Sequence, residues 1–598
     1  MHDLKSIPGY SPAVGTEIFA DCRRARRLPI WMAPALMLAA ACSTASVRAN
    51  GSINPYSVYY NEIGLPQLIR IAPTINGSGV DVMQPEASQG WASNNGAEFE
   101  VNPASVNQPA ANFSYLGASI TNTTTFVSLQ ESSHADMVAG LFYGNNQTYS
   151  DHTHTGVAWG VSHIYSVDAS VALGYYIGGP QYTPFILPNY YYPNGGEPAA
   201  PTSTPLIVND SWVANPGTVS DGSYVQGLDQ CAAKFNMLFI NAIGNGTPNG
   251  PSKISPPATM YNGIAVAAYN GTETNGVFSP ASGAPATWVG PTPGGRSKPD
   301  ITAPTPYMDT SFTTPIVSGV AALLTQAAMD NVGGTGTADD ATDMRTIKAL
   351  LLNGAVKPQG WTNNYNRVLS GTGTSQTQSL TYLAPSSITA TPLDPRYGAG
   401  VVNALNSYNN LAGGEHNFNG IVNAAYTAGV APSFSFDSSA ATLESGLEGW
   451  NLAGIGNSST TNVSQHYIFS LSGSARTTYT LTATLAWNLD SSATSINNLY
   501  LALVNSTGTV VGLSDSNIDN VQQLYLNGLT TGAYDLEVLK LGGAIASNTD
   551  TYALAYNFAA APEPSCVLLL SAALGLALLA PRHRRRIHTT SGHRLGMV

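Results

Sequence analysis

The sequence predicts an α/β domain built on a parallel sheet, followed by an all-β sandwich. Three observations predict this. Between about residues 76 and 415, short apolar runs alternate with helical patterns, an order that gives a parallel sheet with helices packed on it. From about 430, alternating runs separated by turn residues take over, as in a sandwich. The chain of 598 residues is also long enough for more than one domain.

Taking the elements in order, residues 50–75 read as a short connector with no room for a folded inhibitory pro-domain. "GSGVDVM", "TPLIVNDSW", "MLFINAIGN" and "GIAVAAYN" then read as short buried strands. "HADMVAGLFYG", "TPIVSGVAALLTQAAM" and "ATDMRTIKALLLNGA" read as helices. Gly-, Thr- and Ser-rich stretches near 333–341 and 370–380 read as surface insertions. In the second region, 430–558, runs such as "YTLTATLAWNL", "GAYDLEVLKL" and "TYALAYNF" read as sandwich strands with aromatics in the core.

Composition narrows the function classes. Only 10% of residues are charged and the net charge is −12, which lacks the basic footprint of a nucleic-acid binder. A hydrophobic content of 43% excludes a disordered chain despite abundant Gly, Asn, Ser and Thr.

Both ends read as addresses. Residues 1–49 include a basic cluster, an apolar run and a small-residue end, the pattern of a signal peptide cleaved after Ala49. "LAAAC", ending at Cys42, offers an imperfect lipoprotein site as an alternative. Residues 561–598 join Pro562-Glu563-Pro564 to a short apolar run and an Arg cluster. The apolar run is short for a membrane span. This order resembles the PEP-CTERM sorting signal of bacterial envelope proteins. The resemblance implies retention at a membrane through the C-terminal helix, then processing by an exosortase-type enzyme. An ordinary short tail anchor is the plainer reading. With Cys22, Cys42 and Cys566 in these terminal segments, Cys231 alone remains between them, so no internal disulfide is expected.

The chemistry centres on "MDTSFTTPIVSGVAALL", residues 308–324. Ser311 sits where a hydroxyl either caps a helix or serves as a nucleophile at its N-terminus. A nucleophile needs a base and a place for an oxyanion. His134 stands at the expected start of a helix rich in small residues. Asn245 follows a strand between Gly244 and Gly246, at the carboxyl edge where α/β sites assemble. A structural histidine and a turn asparagine are the plain readings of each alone.

Together these stretches resemble the subtilisin-like serine peptidases, the subtilases. "TSFTTPIVSGVAALL" is similar to the nucleophile segment, "HADMVAG" to the histidine segment and "AIGNG" to the strand end carrying the oxyanion asparagine. "IVNDSW", "GVAWGV", "SKPDITAP" and "RYGAGVVNA" are similar to four further segments in the family's order, the third of them as a loop leading to the nucleophile. The resemblance spans about 76–415 and implies a subtilisin-like domain, a serine-type endopeptidase. Ser311 would be the nucleophile, His134 the general base, and Asn245 with the Ser311 N–H the oxyanion hole. Extended peptide or protein substrate would pair with Ser211, Trp212 and Val213.

The family's acid falls on Glu86 in "GSGVDVMQPEAS", while Asp81 lies inside the strand pattern and points elsewhere. Glu is one methylene longer than the usual Asp, but either carboxylate accepts the histidine N–H. Asp309 replaces the usual glycine two residues before the serine, and Val213 replaces a glycine of the substrate cleft. No cofactor is required. Structural Ca²⁺ is possible, with oxygen ligands in "SDSNIDN" at 514–520, but no metal ligand set carries over from the family. "DHTH" at 151–154 reads as an exposed loop. Two alternatives stay open. One is a degenerate protease fold acting as a cell-surface binding or structural protein. The other is an acid-active, sedolisin-like peptidase, disfavoured by the histidine motif.

Overall fold

The computed structural model describes residues 55–561, apart from 88–97, 117–124, 149–152, 170–205, 215–222, 247–253 and shorter breaks at 270, 275–276, 281–286, 305–308, 372–376, 440–442, 457–458, 491–494 and 544–548. Residues 1–49 and 562–598, on which the signal-peptide and PEP-CTERM expectations fall, lie outside the described residues.

The first region is built on a seven-stranded parallel sheet. Its strands are β1 (Asp81–Glu86), β2 (Phe113–Leu116), β3 (His163–Asp168), β4 (Leu206–Asp210), β5 (Met237–Ala242), β6 (Ile264–Tyr269) and β7 (Ile301–Pro304). Their order in space is β7-β6-β5-β4-β1-β3-β2. Helices α1 (Ser133–Phe142), α2 (Ser223–Phe235), α3 (Thr310–Met329) and α4 (Met344–Asn353) pack with it, and α5 (Ala404–Ala412) packs on α3 and α4. The central strands are buried along their length, as a sheet covered on both faces requires.

α3 is the spine of this core. All but a few of its residues are buried, so its membrane-like length and hydropathy belong to a core helix. It runs close to the turn after α1, where a Cβ on Gly319 would collide with Val157. Two readings from the sequence are corrected here. "ITAP" is the edge strand β7 and not a loop. It escapes pattern reading because it is four residues long and ends in proline. The 50–75 segment holds helices at Pro55–Glu62 and Leu65–Ile71, whose Ile63, Leu65 and Leu68 enter the main core.

The second region holds two facing antiparallel sheets. One contains β8 (Gly420–Ala425), β10 (Thr461–Leu471), β12 (Leu499–Asn505), β13 (Val510–Ser514) and β15 (Gly532–Lys540), with the short strand Ile388–Thr389 added in parallel at its edge. The other is β9 (Glu448–Ile455), β11 (Thr478–Trp487), β14 (Val521–Thr530) and β16 (Asp550–Ala560). In β16, Tyr552, Leu554, Tyr556 and Phe558 enter the inter-sheet core, while Ala553 and Ala555 join the core of the first region. Alternate side chains of a strand face opposite ways. Large residues therefore fill the sandwich, and small ones let the sheet lie closely against α4.

Polar bonds reinforce this seam. Leu489 N donates to Asn262 Oδ1 at 2.7 Å and Asn262 Nδ2 donates back to Leu489 O at 3.0 Å. Asn520 Nδ2 donates to Tyr261 O at 2.8 Å. Asp519 accepts from Ser297 N at 2.7 Å and Ser297 Oγ at 3.0 Å. Of the two carboxylates in the calcium-candidate stretch "SDSNIDN", that of Asp519 thus points inward as a docking group. Asp519→Ala should leave the Ser297 N–H buried without a partner and destabilise the chain by about 3 kcal/mol, read as a lower urea midpoint at unchanged slope.

Candidate active site

α1 begins where Ser132 Oγ accepts from Ala135 N at 3.2 Å, so His134 lies in the first turn. Two interactions fix this turn over β1. Gln84 Nε2 donates to Ala135 O at 2.9 Å, and Tyr143 OH donates to Gln84 Oε1 at 2.7 Å. Two residues along the same strand, Glu86 ends β1. Its Oε1 lies 2.7 Å from His134 Nδ1. Glu86 is buried and the His134 side chain is a quarter exposed, so the far side of the imidazole faces the cleft. Asp81, at the other end of β1, pairs with His163 at 2.6 Å and takes no part.

Ser311 is the second residue of α3, and Asp309 holds the N-cap position without a side-chain cap bond. Ser311 is therefore not the cap of this helix. Its N–H belongs to the first-turn donors that have no partner within a helix. α1 and α3 meet through Val138, Leu141 and Phe312, and the Phe312 ring lies 5.8 Å from the imidazole. The Ser311 hydroxyl donates to Ser211 O at 3.1 Å, while Ser211 Oγ donates to Ser311 O at 2.9 Å. In this state the serine proton faces the Ser211 carbonyl. Hydrogen bonds between a nucleophile and its base often form or tighten only with substrate bound.

Asn245 is exposed, just beyond β5. Its Oδ1 accepts from Thr310 N at 2.8 Å and from Thr310 Oγ1 at 2.9 Å. A backbone N–H needs an acceptor, so this contact fixes the amide orientation and leaves Nδ2 as the donor available to an oxyanion. Gly244 and Gly246 have φ of 107° and 146°. A Cβ on either would run into Trp288, which covers this turn.

Ser211 is buried, and Trp212 and Val213 are half-buried, in extended chain beyond β4. All these groups stand at the carboxyl ends of β1, β4 and β5 and at the start of the helix after β7, as binding sites of parallel sheets do. Sequence reading singled out Glu86, His134, Asn245 and Ser311. It missed Gln84, Tyr143, Thr310 and Phe312, which position them and belong to no short motif.

The electrostatics suit base catalysis. Burial raises the Glu86 carboxyl above the ordinary range, and the His134 hydrogen bond offsets this only in part. For His134, burial pulls the pKa down, but the bond and charge of Glu86, then the charge of Asp309, outweigh it and raise it above 6.5. The base must be neutral, so the acid limb of kcat/KM lies above that value. Asp309→Asn removes one charge favouring imidazolium, and the limb is expected to move to lower pH in a pH–rate profile. Among the described residues there is no group of three or more His, Cys, Asp or Glu suited to a metal ion.

Residues 78–375 match the family model described as Subtilase family. This part of the chain resembles a subtilase domain. Among solved structures, the chain is similar to the prenylagaramide maturation protease PagA, at 19% identity over 58% of this chain and 98% of that one, with a TM-score of 0.33. It is similar to the CspB protease of Clostridium perfringens at 13% identity over 59% and 98%, with a TM-score of 0.31. A carbohydrate-binding module, TmCBM61, is similar at 8% identity over 25% of this chain and 91% of that one, with a TM-score of 0.15. At these scores the structural likenesses carry no weight beside the family match. No curated protein matches the chain.

Proposed function

We propose that this protein is an exported serine endopeptidase that hydrolyses peptide bonds through an acyl-enzyme. The observation that carries the reading is the 2.7 Å contact of His134 Nδ1 with the buried Glu86 carboxylate, made beside the first turn of α3, which holds Ser311. In the reaction, Ser311 Oγ attacks the scissile carbonyl while His134 Nε2 takes its proton. The tetrahedral oxyanion receives hydrogen bonds from Asn245 Nδ2 and the Ser311 N–H, where the α3 dipole also favours negative charge. His134 then protonates the leaving amine. Water, activated by the same imidazole, releases the acid product and restores the serine. Substrate binds extended along Ser211–Val213, as an added strand does.

Export rests on the two terminal sequence patterns. They support a signal peptide at one end and, at the other, a membrane-retention signal for an exosortase-type enzyme. The deciding experiment for the chemistry treats the folded full chain with a fluorophosphonate probe and maps the labelled peptide by mass spectrometry. Labelling at Ser311 that vanishes on prior denaturation is the expected result. A folded chain left unlabelled at Ser311 favours a binding or structural role.

A further inference from the structure

Asp210 is a buried acid that the reaction above does not use. It ends β4, one residue before the Ser211–Val213 stretch. Asn209 Oδ1 accepts from Ser318 Oγ of α3 at 2.9 Å, so Asn209 faces α3 and Asp210 faces the other side of the sheet. In register beside it on β5 stands Asn241. Segment 254–260 closes over this side. Asn241 Nδ2 donates to Pro257 O at 3.3 Å, and Ala214 N donates to Pro256 O at 2.8 Å. Ile243, Ile254 and Ala258 supply an apolar cluster next to it.

Among the described residues, three buried acceptors lack a hydrogen-bond partner within normal distance, Asp210 Oδ1, Asn241 Oδ1 and Thr259 Oγ1, and the contact that favours the charged Asp210 comes from the Trp212 side chain. Asp210 is 3% exposed, Asn241 1% and Thr259 0%. Buried polar groups are nearly always paired, so this concentration of unmet acceptors beside a cleft is a signal. Burial pushes the Asp210 carboxyl up to about 8, and Trp212 offsets only part of this. Among the described residues no cation contributes to its environment. A carboxylate in such a place needs a proton or a cationic ligand. A guanidinium brings five N–H donors, and an ammonium three.

The position identifies which part of a substrate would bring them. Ser211 is bonded in both directions to Ser311, so the residue whose carbonyl Ser311 attacks lies against this strand end. We propose that Asp210 is a specificity-determining residue that binds the arginine or lysine side chain of the substrate residue on the acyl side of the scissile bond, with Asn241 and Thr259 accepting further N–H groups. This rests on the serine-endopeptidase reading.

The test uses the full chain and peptides that differ only at that residue, carrying arginine or its neutral isostere citrulline. Wild type is expected to favour arginine by about 100-fold in kcat/KM. Asp210→Asn is expected to bring the ratio near one, and Asp309→Asn to leave it high. The proposal is overturned if wild type cleaves both peptides equally, or if Asp309→Asn and not Asp210→Asn removes the preference. The wild-type ratio decides even if Asp210→Asn fails to fold. Cleavage and Ser311 labelling without arginine preference reject this inference alone. A folded chain with neither cleavage nor labelling rejects the peptidase reading beneath it.

Discussion

Ser311→Ala is expected to lower kcat by about 10⁶-fold, the usual result of removing the nucleophile of a serine triad. The physical basis is local. The Ser311 hydroxyl makes one hydrogen bond, to Ser211 O at 3.1 Å. Its loss costs about 1 kcal/mol of stability, far too little to unfold a chain with this core. The α3 backbone, the Asn245–Thr310 contacts and the His134–Glu86 pair do not involve that oxygen. The variant therefore keeps the substrate strand and the oxyanion donors, and KM should stay within a few-fold. Residual turnover of about 10³-fold over water should persist from binding and the oxyanion hole. Steady-state kinetics beside a thermal melt make the check. A fall of less than tenfold in a folded variant would remove Ser311 from the nucleophile's place.

Much of this architecture is legible in the sequence because its signals are local. The buried runs of β4, β5 and β6 and the small-residue helix α3 announce themselves by pattern. So do the segments around His134, Asn245 and Ser311, since each packs a chemical residue beside glycines or alanines needed for close approach. Other features depend on partners far along the chain. β2 and β3, "FSYL" and "HIYSVD", are short and partly polar, and sheet pairing alone makes them strands. Ala553, Ala555 and Thr484 look like the solvent side of a sandwich strand. They are buried against the first region, where Thr484 Oγ1 bonds Asn353 Oδ1 at 3.2 Å. Asp519 in an Asp/Asn turn looks like a cation ligand until Ser297, more than two hundred residues away, is seen to fill its oxygens. The direction of the Asn245 amide is likewise set by Thr310, which no spacing rule connects to it.

Glu86→Gln is expected to lower kcat by about 10⁴-fold with the fold retained. Glu86 Oε1 takes the proton-bearing Nδ1 of His134, which leaves Nε2 as the base toward Ser311. A glutamine of the same length fits the same space. However, its NH₂ group can donate to Nδ1 and hold the wrong tautomer, and it has no charge to stabilise imidazolium as the serine proton arrives. The pH profile separates this from simple loss of packing. In wild type the two groups titrate as a coupled pair. Burial raises Glu86, and Glu86 in turn raises His134. Both raised groups must lose a proton for activity, so activity is present above their pKa values and lost as pH falls through them. Without the carboxylate, His134 keeps the burial that lowers its pKa and loses its main raising partner. The acid limb of Glu86→Gln should therefore move to lower pH while its plateau falls. Glu86→Asp restores the charge but draws it back by one methylene from a 2.7 Å contact. It should recover the position of the limb more fully than the height of the plateau. Equal plateaus for wild type and Glu86→Gln would show that the imidazole is oriented by something other than Glu86.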